Sequence, residues 1–459
     1  MLVKTSLIAL GISTGMTEAY SMTQKPTQVQ ENQTLRPSQI KVTDFKTAKG
    51  LAVWLVENQD IPVLSVSICF KNAGSKSDPK DKIGLANFLS GIINEGCGPY
   101  DSATFKKYLL EHNINLSVDQ SSDDFIIAFR APKTSIQQAF RIIELMLTEP
   151  GFASEPMERV KQQLLTILNQ SLHSERAIGG DLMNKRAFPN HPYGHSIEEN
   201  LRDLMTITPA DLKKYMANRF TKNELTLTVA GAVNQQELSE ILDSTFTSLP
   251  EKAVPETIAN LEPISPGDVF IKEMDIPQSA ILFYQPSIGR HDPDFYAAMV
   301  LMRILGDGGF ESRLWNEVRE KRGLAYGVSA TLSWNDHTAY IIGSTATQNA
   351  SVEKVISIIR EQWEKVKKEG VTAAELSFVK ERMIGSYPLA FGSTAQIVAM
   401  LRMHQLDGMR PNFINERNDI IRKVTLEDVN RVAKKLLNPE KLSFIVVGKP
   451  EGLKAGESQ

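Results

Sequence analysis

Cysteine is scarce in this sequence: only Cys69 and Cys97 occur in 459 residues. Two cysteines cannot form a framework of several disulfide bonds. Each fits as a small buried apolar side chain, and a single bond between the two is the alternative. Long apolar runs are also missing. After the N-terminus no stretch of about 18 apolar residues occurs, so we predict no membrane span there.

An excess of charge of one sign is missing as well. Lysine and arginine together number 51, aspartate and glutamate 54, and the formal net charge is −3. Proteins that bind nucleic acid or anionic membranes electrostatically carry a basic surface. The sequence therefore predicts neither kind of partner. Its hydrophobic content of 42% is typical of a globular protein, and its length suffices for two domains or more.

The first residues have the pattern of a secretory signal peptide. Lys4 precedes a short apolar run, and small and polar residues follow as far as Ser21. We predict a signal peptide over residues 1–21, cleaved near Ala19 or Ser21, which would place the protein in a bacterial periplasm. An uncleaved, disordered tail is the alternative. Residues 22–40 are rich in Gln, Thr, Pro and Asn and are typical of a flexible lead-in.

Strand-like and helical patterns alternate through residues 41–248, which predicts an α+β domain. Residues 249–267 contain four prolines and few large apolar groups, as a linker does. A second domain is predicted over residues 268–450. The predicted strands of the first domain are 50–57, 62–70, 114–118, 125–130 and 225–231; its predicted helices are 84–95, 102–112, 133–148, 154–174, one that starts at Thr208, and 234–247.

The second domain repeats the first. Thr208 and Asp211 recur as Thr425 and Asp428, 217 residues further on. Near-constant offsets over about 150 residues indicate an internal duplication. The sequence thus predicts two homologous αβ sandwich domains. Further matched pairs are Leu225 with Leu442 and Gly231 with Gly448 at 217, Ile61-Pro62 with Ile276-Pro277 at 215, and Asp78-Pro79 with Asp292-Pro293 at 214.

The segment Gly84-Leu-Ala-Asn-Phe-Leu-Ser-Gly91 predicts a helix with one apolar face and with Asn87, Ser90 and Gly91 together on another. It resembles the zinc-binding helix of the pitrilysin/insulinase family of zinc peptidases. That family typically reads G-L-A-H-F-L-E-H, with two His ligands and a Glu base on one face. The resemblance covers residues from about 41 to 450, and it implies the same doubled αβ fold.

The resemblance places the family's His, Glu and His positions at Asn87, Ser90 and Gly91. An amide and a hydrogen cannot replace the two imidazoles that bind zinc, and the Ser90 hydroxyl cannot replace the carboxylate that takes a proton from a bound water. The family's third ligand, a Glu, falls at or near Ile167, where residues 161–168 contain no Glu or Asp. We therefore expect no metal in this chain.

The segment from Leu305 to Tyr326 resembles the family segment that carries an Arg/Tyr pair seven residues apart, here Arg319 and Tyr326. In active members this pair comes from the C-terminal half, hydrogen-bonds the substrate backbone and helps to stabilise the oxyanion. A guanidinium and a phenol are suitable donors for developing negative charge. The alternative is structural: Arg319 would lie in a solvated helix end that Gly323 terminates, and Tyr326 would pack in a core.

Gly306, Gly308 and Gly309 form a glycine-rich turn before that helix. The turn lacks the Lys-Ser/Thr of a phosphate-binding P-loop. It is typical of a flexible turn that needs positive φ, whereas the resemblance implies a role in binding substrate. His191 and His195 have a four-residue spacing that metal ligands also show. Pro192 and Gly194 argue against a helix there, so we predict a structural loop.

The resemblance is to the short processing-protease type, whose members act as pairs of two-domain subunits. The first hypothesis is therefore a non-catalytic subunit of a heterodimeric zinc peptidase. A homologous partner would hold the zinc, and peptides would be the substrates. No activity is expected of this chain alone. The alternative is a catalytically inert structural or peptide-binding protein on the same scaffold. An enzyme that uses a different site is a distant third hypothesis.

Overall fold

The first half of the chain forms a six-stranded mixed sheet in the computed structural model, which describes residues 39–453. The predicted signal peptide and nearly all of the lead-in lie outside these residues. The order across the sheet is β1-β2-β6-β3-β5-β4, with β2 and β6 parallel and the other neighbours antiparallel. The strands are β1 (Thr43–Lys46), β2 (Ala52–Glu57), β3 (Val63–Phe70), β4 (Asn115–Gln120), β5 (Phe125–Pro132) and β6 (Leu225–Gly231).

The first half also contains eight α-helices within the described residues. Several begin at side chains that accept a hydrogen bond from the first turn, as Thr208 does in a capping box with Asp211. Apolar side chains from the helices and from the sheet form one large core. The helices are α1 (Leu85–Ile92), α2 (Ser102–Glu111), α3 (Ile136–Thr148), α4 (Ser154–Ser171), α5 (Glu175–Ala187), α6 (Ile197–Leu204), α7 (Pro209–Arg219) and α8 (Gln235–Thr245).

The second half forms a five-stranded sheet in the order β7-β11-β8-β10-β9. Its strands are β7 (Val269–Glu273), β8 (Gln278–Pro286), β9 (Ala325–Asn335), β10 (Thr338–Gln348) and β11 (Ser443–Gly448). Its helices are α9 (Phe295–Met302), α10 (Arg313–Trp315), α11 (Val352–Glu369), α12 (Ala373–Ser386), α13 (Thr394–Leu406), α14 (Phe413–Lys423) and α15 (Leu426–Leu436). No helix or strand lies between α8 and β7.

The two sheets confirm the predicted duplication. Without β1, the first sheet has the same order as the second, with β2, β6, β3, β5 and β4 corresponding to β7, β11, β8, β10 and β9. The parallel pair β2 and β6 corresponds to the parallel pair β7 and β11. The capping box of Thr208 recurs at Thr425. The fold is therefore the predicted α+β arrangement of two homologous domains.

One helix of each half packs against the sheet of the other half. Helix α5 of the first half packs against β8 and β11 of the second sheet, and α13 of the second half packs against β3 and β6 of the first. The contact includes a hydrogen bond between the hydroxyls of Ser65 and Thr394 at 2.8 Å. The halves are thus joined through exchanged helices as well as through the linker.

A buried lysine also connects the halves. Lys76, only 2% exposed, lies 3.1 Å from the Asp123 carboxylate of its own half and 2.5 Å from that of Asp336 in the other. The Tyr193 hydroxyl donates to Asp123 at 2.5 Å. Asp123 and Asp336 lie in the corresponding hairpin turns β4–β5 and β9–β10, so this ion cluster sits where the two copies meet.

Two further predictions can be compared with the structure. Cys69 and Cys97 are both buried and no disulfide joins them, which excludes the bridge left open by the sequence. Between residues 39 and 453 no helix is both long enough and apolar enough to cross a membrane.

Candidate functional site

The structure places the three positions of the degenerate zinc motif on α1. The helix begins after Gly84, whose φ is +91°, and the Asp78 carboxylate accepts the N–H groups of Gly84 and Ala86, both at 2.8 Å. The Ser90 hydroxyl donates to the Asn87 carbonyl at 2.7 Å, within the helix itself. A Cβ at Gly91 would lie 3.1 Å from a methyl group of Val160 on α4.

Val160 thus packs closely against Gly91, the position at which the family has an imidazole. Ile167, at the predicted place of the third ligand, is a half-exposed apolar residue. Across residues 39–453 the structure brings together no group of three or more His, Cys, Asp or Glu side chains that could hold a metal ion. The side chains present at Asn87, Ser90 and Gly91 do not fit zinc.

Glu95, just beyond the end of α1, is a carboxylate close to this region, but it is engaged. It accepts hydrogen bonds from Arg159 at 2.8 Å, from Lys106 at 3.0 Å and from Ser102. Burial raises the pKa of Glu95, but these hydrogen bonds outweigh burial and hold the pKa at about 2. A carboxylate held ionised between two cations is a poor general base at neutral pH.

The two residues of the predicted Arg/Tyr pair lie close together; Tyr326 is open to solvent and Arg319 is partly buried. The Arg319 guanidinium lies 4.7 Å from the ring centre of Tyr326 and 4.3 Å from that of Trp315, with Phe310 at 6.0 Å. Tyr326 is 88% exposed. Among the described residues no side-chain hydrogen bond or ion pair involves the Arg319 guanidinium or the Tyr326 hydroxyl. Aromatic rings thus hold the guanidinium in place and leave its donors unused.

The helical segment that carries Arg319 contains π-helical turns. α9 runs into a π-helical turn at Arg303–Asp307, and α10 runs into a second at Asn316–Glu320, which contains Arg319. Single π-helical turns are rare in proteins, and those that occur are often found at functional sites. The helix then ends at Gly323, whose φ is +60° and whose N–H binds the Arg319 carbonyl. The predicted glycine stop is confirmed.

Tyr326 is exposed because β9 carries a β-bulge. Strands β9 and β10 pair regularly as far as Val328 with Thr345, and the next pair is Ala325 with Thr347. Three steps along β9 match two along β10, so β9 contains one extra residue at this point. The alternation of faces is broken there, and Tyr326 does not share the core position of Val328. The alternative that Tyr326 packs in a core is wrong.

Each glycine of the turn before α10 has its own structural reason. A Cβ at Gly306 would lie 2.7 Å from Ala330, and one at Gly308 would lie 2.4 Å from the Arg303 carbonyl oxygen. Gly309 has open space around it but a φ of +63°, as the sequence predicted for a turn. No phosphate-binding arrangement is needed to account for the three residues, and a role in substrate binding stays a prediction.

His191 and His195 belong to a loop rather than to a metal site. His191 Nε2 donates to the Ala259 carbonyl at 3.0 Å, and its Nδ1 accepts the Tyr193 N–H at 3.2 Å. His195 lies 3.4 Å from the Glu199 carboxylate. Since the two rings are engaged with different groups, they fix the path of the chain between α5 and α6, as predicted.

Sequence reasoning missed the aromatic neighbours of Arg319. Trp315 precedes Arg319 by four residues, a spacing that puts two side chains on one face of a helix, so its role could have been predicted. The indole N–H of Trp315 also donates to the Glu320 carboxylate at 2.9 Å. Phe310 lies in a single 3-10 helical turn, Gly309–Glu311, and no periodic pattern of the sequence places its ring beside Arg319.

Two family models match this chain. Residues 53–200 match the model described as "Insulinase (Peptidase family M16)", and residues 206–383 match the model described as "Peptidase M16 inactive domain". The first match includes α1 and the second includes Arg319 and Tyr326. Together they cover most of both halves.

Individual members of the same family also match this chain along most of its length. The chain is 28% identical to the "Non-peptidase homolog YmxG" of Helicobacter pylori over 85% of its own length and 90% of that protein. It is 20% identical to the "Mitochondrial-processing peptidase subunit beta" of Saccharomyces cerevisiae over 83% and 85% of the two chains. A crystal structure of a peptidase M16 inactive domain from Pseudomonas fluorescens superposes with a TM-score of 0.84, at 24% identity, over 91% and 100% of the chains. This last match supports the fold.

Proposed function

From the premise that this chain belongs to the insulinase family of zinc peptidases (peptidase family M16), as an inactive member, we propose that it is the non-catalytic subunit of a heterodimeric zinc peptidase. A homologous partner chain would keep the His/Glu/His helix and bind the zinc. This chain would close the substrate chamber and supply Arg319 and Tyr326. The yeast relative is by its name one subunit of a peptidase, which is consistent with a paired assembly.

The observation that carries the proposal is the state of the Arg319–Tyr326 pair. The guanidinium is fixed between aromatic rings at 4.3 and 4.7 Å, yet its donors have no acceptor among the described residues. A remnant that had lost its function would be expected to acquire an ion pair, as the neighbouring Arg322 has with Glu317. Preorganised, unused donors are the kind of group that stabilises an oxyanion.

The exposure of Tyr326 is consistent with a second molecule in the assembly. Helices α5 and α13 hold the two halves of this chain together across their sheets, and Tyr326 is 88% exposed. In the proposal, a partner chain covers these donors and so excludes water from the peptide that they bind. Peptides or short unfolded segments small enough for the covered chamber would be the substrates.

The test is a peptidase assay of this chain, of the zinc-binding partner and of their mixture, with zinc measured in each. Activity and about one zinc per heterodimer are expected in the mixture alone. Removing one oxyanion donor typically lowers kcat by about 10²–10³, so Arg319→Ala and Tyr326→Phe should each lower kcat of the mixture to that extent.

Arg322→Ala is the matched control, because Arg322 is an arginine of the same helix end that pairs with Glu317. It should leave kcat within about twofold of the unaltered mixture. Full activity of the partner alone, or an Arg319→Ala loss no larger than that of Arg322→Ala, would contradict the proposal. The chain would then act as a structural or peptide-binding protein.

The proposal also includes the cellular location of the heterodimer. If the first 21 residues are a signal peptide, the heterodimer acts in the periplasm. Cell fractionation of the native bacterium, with N-terminal sequencing of the mature chain, tests this part separately. A mature N-terminus near residue 20 is expected, whereas a chain that keeps Met1 in the cytoplasmic fraction would contradict it.

A further inference from the structure

A cavity of about 570 Å³ opens where the linker, the β9–β10 hairpin and the end of α13 meet. Small-molecule sites in proteins usually enclose about 300–1,000 Å³, so this cavity has the volume of a binding site. It shares no residue with α1 or with the segment that carries Arg319 and Tyr326. The cavity is therefore separate from the candidate site described above.

The walls of the cavity are fixed by contacts between these elements. The Leu261 N–H donates to the His337 carbonyl at 2.9 Å, which attaches the linker to the hairpin. Arg290, shortly after β8, pairs with Asp407 at the end of α13 at 2.9 Å, and both side chains are largely buried. The indole N–H of Trp334 donates to the same carboxylate at 3.3 Å. The ion pair is neutral as a whole, so it shapes the cavity without adding net charge.

Two hydroxyl groups that line the cavity have no hydrogen-bond partner among the described residues. They belong to Ser287 and Thr338, and both oxygen atoms are buried. The two residues lie at adjoining strand ends, where the Ser287 N–H donates to the Ala339 carbonyl at 3.0 Å. Thr338 is only 8% exposed. A buried hydroxyl without a partner is unfavourable, and a polar ligand in the cavity would supply one.

Two carboxylates at the cavity are only partly compensated by cations. The Glu262 side chain is mostly exposed and lies 4.0 Å from Lys441, at the limit of an ion pair. Asp336 is half exposed and shares Lys76 with Asp123, so two carboxylates have one lysine between them. Negative charge at the mouth of a cavity favours a positively charged ligand.

His337 adds a neutral acceptor. Its Nδ1 lies 3.0 Å from the side-chain oxygen of Asn260, so Nδ1 carries the proton and Nε2 is left as an acceptor. Burial lowers the pKa of His337, and Lys76 lowers it further, against the opposing effect of the nearby aspartates. The ring is therefore neutral at pH 7. A ligand with several N–H donors matches these acceptors.

We infer that this cavity binds a small organic cation, an alkylammonium or alkylguanidinium group whose N–H groups donate to Glu262, Thr338 and His337. The Trp334 ring also lines the cavity, and aromatic rings attract such cations. The part of the chain that the structure describes holds no cluster of metal ligands, so the cation is organic. Free small amines and the Lys or Arg side chains of a peptide carry this same chemistry. The inference does not depend on the proposed function.

Isothermal titration calorimetry of the purified whole chain tests the inference, with n-butylammonium as the probe and n-butanol as its uncharged counterpart. The cation should bind at least about tenfold more tightly than the alcohol. Glu262→Gln should weaken binding of the cation about fivefold, the effect of losing one exposed ion pair. Glu251→Gln is the matched control and should leave the Kd unchanged, because Glu251 is a similarly exposed linker residue that pairs with Lys222 and does not line the cavity.

Thr338→Val tests the buried hydroxyl. It keeps the shape of the side chain and should weaken binding of the cation about fivefold, the effect of losing one hydrogen bond. The Tm should not fall, because this hydroxyl makes no hydrogen bond within the described part of the free protein. Thr345→Val is the matched control. Thr345 is also on β10 and 8% exposed, but its hydroxyl donates to the Gly327 carbonyl at 2.8 Å. This variant should lower the Tm and leave the Kd unchanged.

A ten-residue peptide of Gly and Ser with one central Lys identifies the source of the cation. Binding of the peptide would assign the cavity to a basic side chain, and binding of butylammonium alone would assign it to a free amine; either result supports the site. Equal affinity for butylammonium and butanol, no saturable binding of the cation in either form, or a Kd unchanged in both Glu262→Gln and Thr338→Val would overturn the inference. These measurements use neither the partner chain nor peptidase activity, so their failure is distinct from a failure of the proposed function.

Discussion

The two halves of this chain share one strand order but differ where their corresponding helices end. In the first half, α1 ends as a regular helix, with Gly91 packed against Val160 and the following Glu95 held by Arg159. In the second half, α9 runs into a π-helical turn and a glycine turn, after which the Phe310 ring is exposed to solvent and Arg319 is partly buried. The same position in the fold is closed in one copy and open in the other.

This difference shows which features duplication preserves. Strand order, the parallel pair and the capping boxes recur because burial and backbone hydrogen bonding require them in each copy. Surface chemistry has no such requirement, so one copy has no zinc ligands at Asn87, Ser90 and Gly91, while the other has the Arg319 guanidinium without an ion pair in the part of the chain that the structure describes. The predictions below test how far the two copies still behave alike, beginning with the contact that joins them.

Lys76→Met should have the largest effect on stability. It keeps the volume of the side chain but leaves the buried Asp123 carboxylate without its cation, and breaking a buried ion pair in this way costs about 3–5 kcal/mol. Urea unfolding would measure the loss. Lys107→Met, in an exposed pair with Glu111, should change stability by less than about 0.5 kcal/mol. Equal losses would mean that the ion cluster does not join the halves.

Gly231→Ala and Gly448→Ala test corresponding positions. Both residues have positive φ, +138° and +152°. A Cβ at Gly231 would lie 2.0 Å from the Val63 backbone oxygen, whereas at Gly448 the first obstacle is the Ser279 hydroxyl at 2.2 Å. We expect losses of about 3 kcal/mol and about 1–3 kcal/mol respectively.

A second change separates these two cases. Ser279→Ala should relieve part of the Gly448→Ala loss in a double variant, because it removes the obstructing hydroxyl. No side-chain change can relieve Gly231→Ala, since its obstacle is backbone. Thermal unfolding of the single and double variants measures both effects, and an absence of any relief would refute the difference between the copies.

The carboxylates before α1 and α9 should give opposite pH dependence. Burial raises the pKa of Asp78 to about 7, although backbone N–H groups donate to it. Hydrogen bonds from Arg431 and Lys435 lower the pKa of Asp294 to about 2. The unfolded pKa of Asp is about 3.9. The contribution of Asp78 is therefore full below about pH 4 and is lost as pH rises through 7, whereas that of Asp294 is present above about pH 4 and is lost as pH falls towards 2.

Unfolding free energies from pH 2 to 8 check this for Asp78→Asn and Asp294→Asn. The stability of the unaltered protein relative to Asp78→Asn should fall between about pH 4 and 7. Its stability relative to Asp294→Asn should fall between about pH 4 and 2. Slopes of the same sign in both comparisons would contradict the assignment.

The smallest expected effects are at the two capping boxes. Thr208 and Thr425 each accept a hydrogen bond from the third residue of the following helix, and replacing such a residue with Ala costs about 1 kcal/mol. Thr208→Ala and Thr425→Ala should therefore lower the free energy of unfolding by similar amounts. A difference larger than about 1 kcal/mol would mean that the two copies no longer use the box alike.

Sequence patterns predicted most elements of the first half because their periodicity is local. Strand β6 agrees at both ends, and α2 and α3 agree within a few residues. Strand β1, with four residues, was not predicted because it is too short to show a period. Helix α5 was missed because it contains two glycines and no clear apolar stripe. Its buried face is made by a sheet more than 90 residues away in the sequence, which no local pattern reveals.

The candidate site was also predictable only where local sequence carries the signal. Arg319 and Tyr326 were found by resemblance, and Gly323 by its place after a helix. The exposure of Tyr326 depends on an extra residue in β9 relative to β10, and alternation along one strand cannot report the register of its neighbour. The position of the Phe310 ring depends on its contact with the Trp315 ring, which the sequence does not reveal. A role for the pair in a partner's site stays a prediction.

The exchange of α5 and α13 has a consequence for how the chain can be divided. Each half covers its neighbour's sheet, so the arrangement is that of a domain-swapped dimer whose two members have become one polypeptide. Cutting the backbone within residues 251–267 would break no contact between sheets and exchanged helices. The nicked protein should therefore migrate as one particle, and the two fragments, produced separately, should fold only in each other's company.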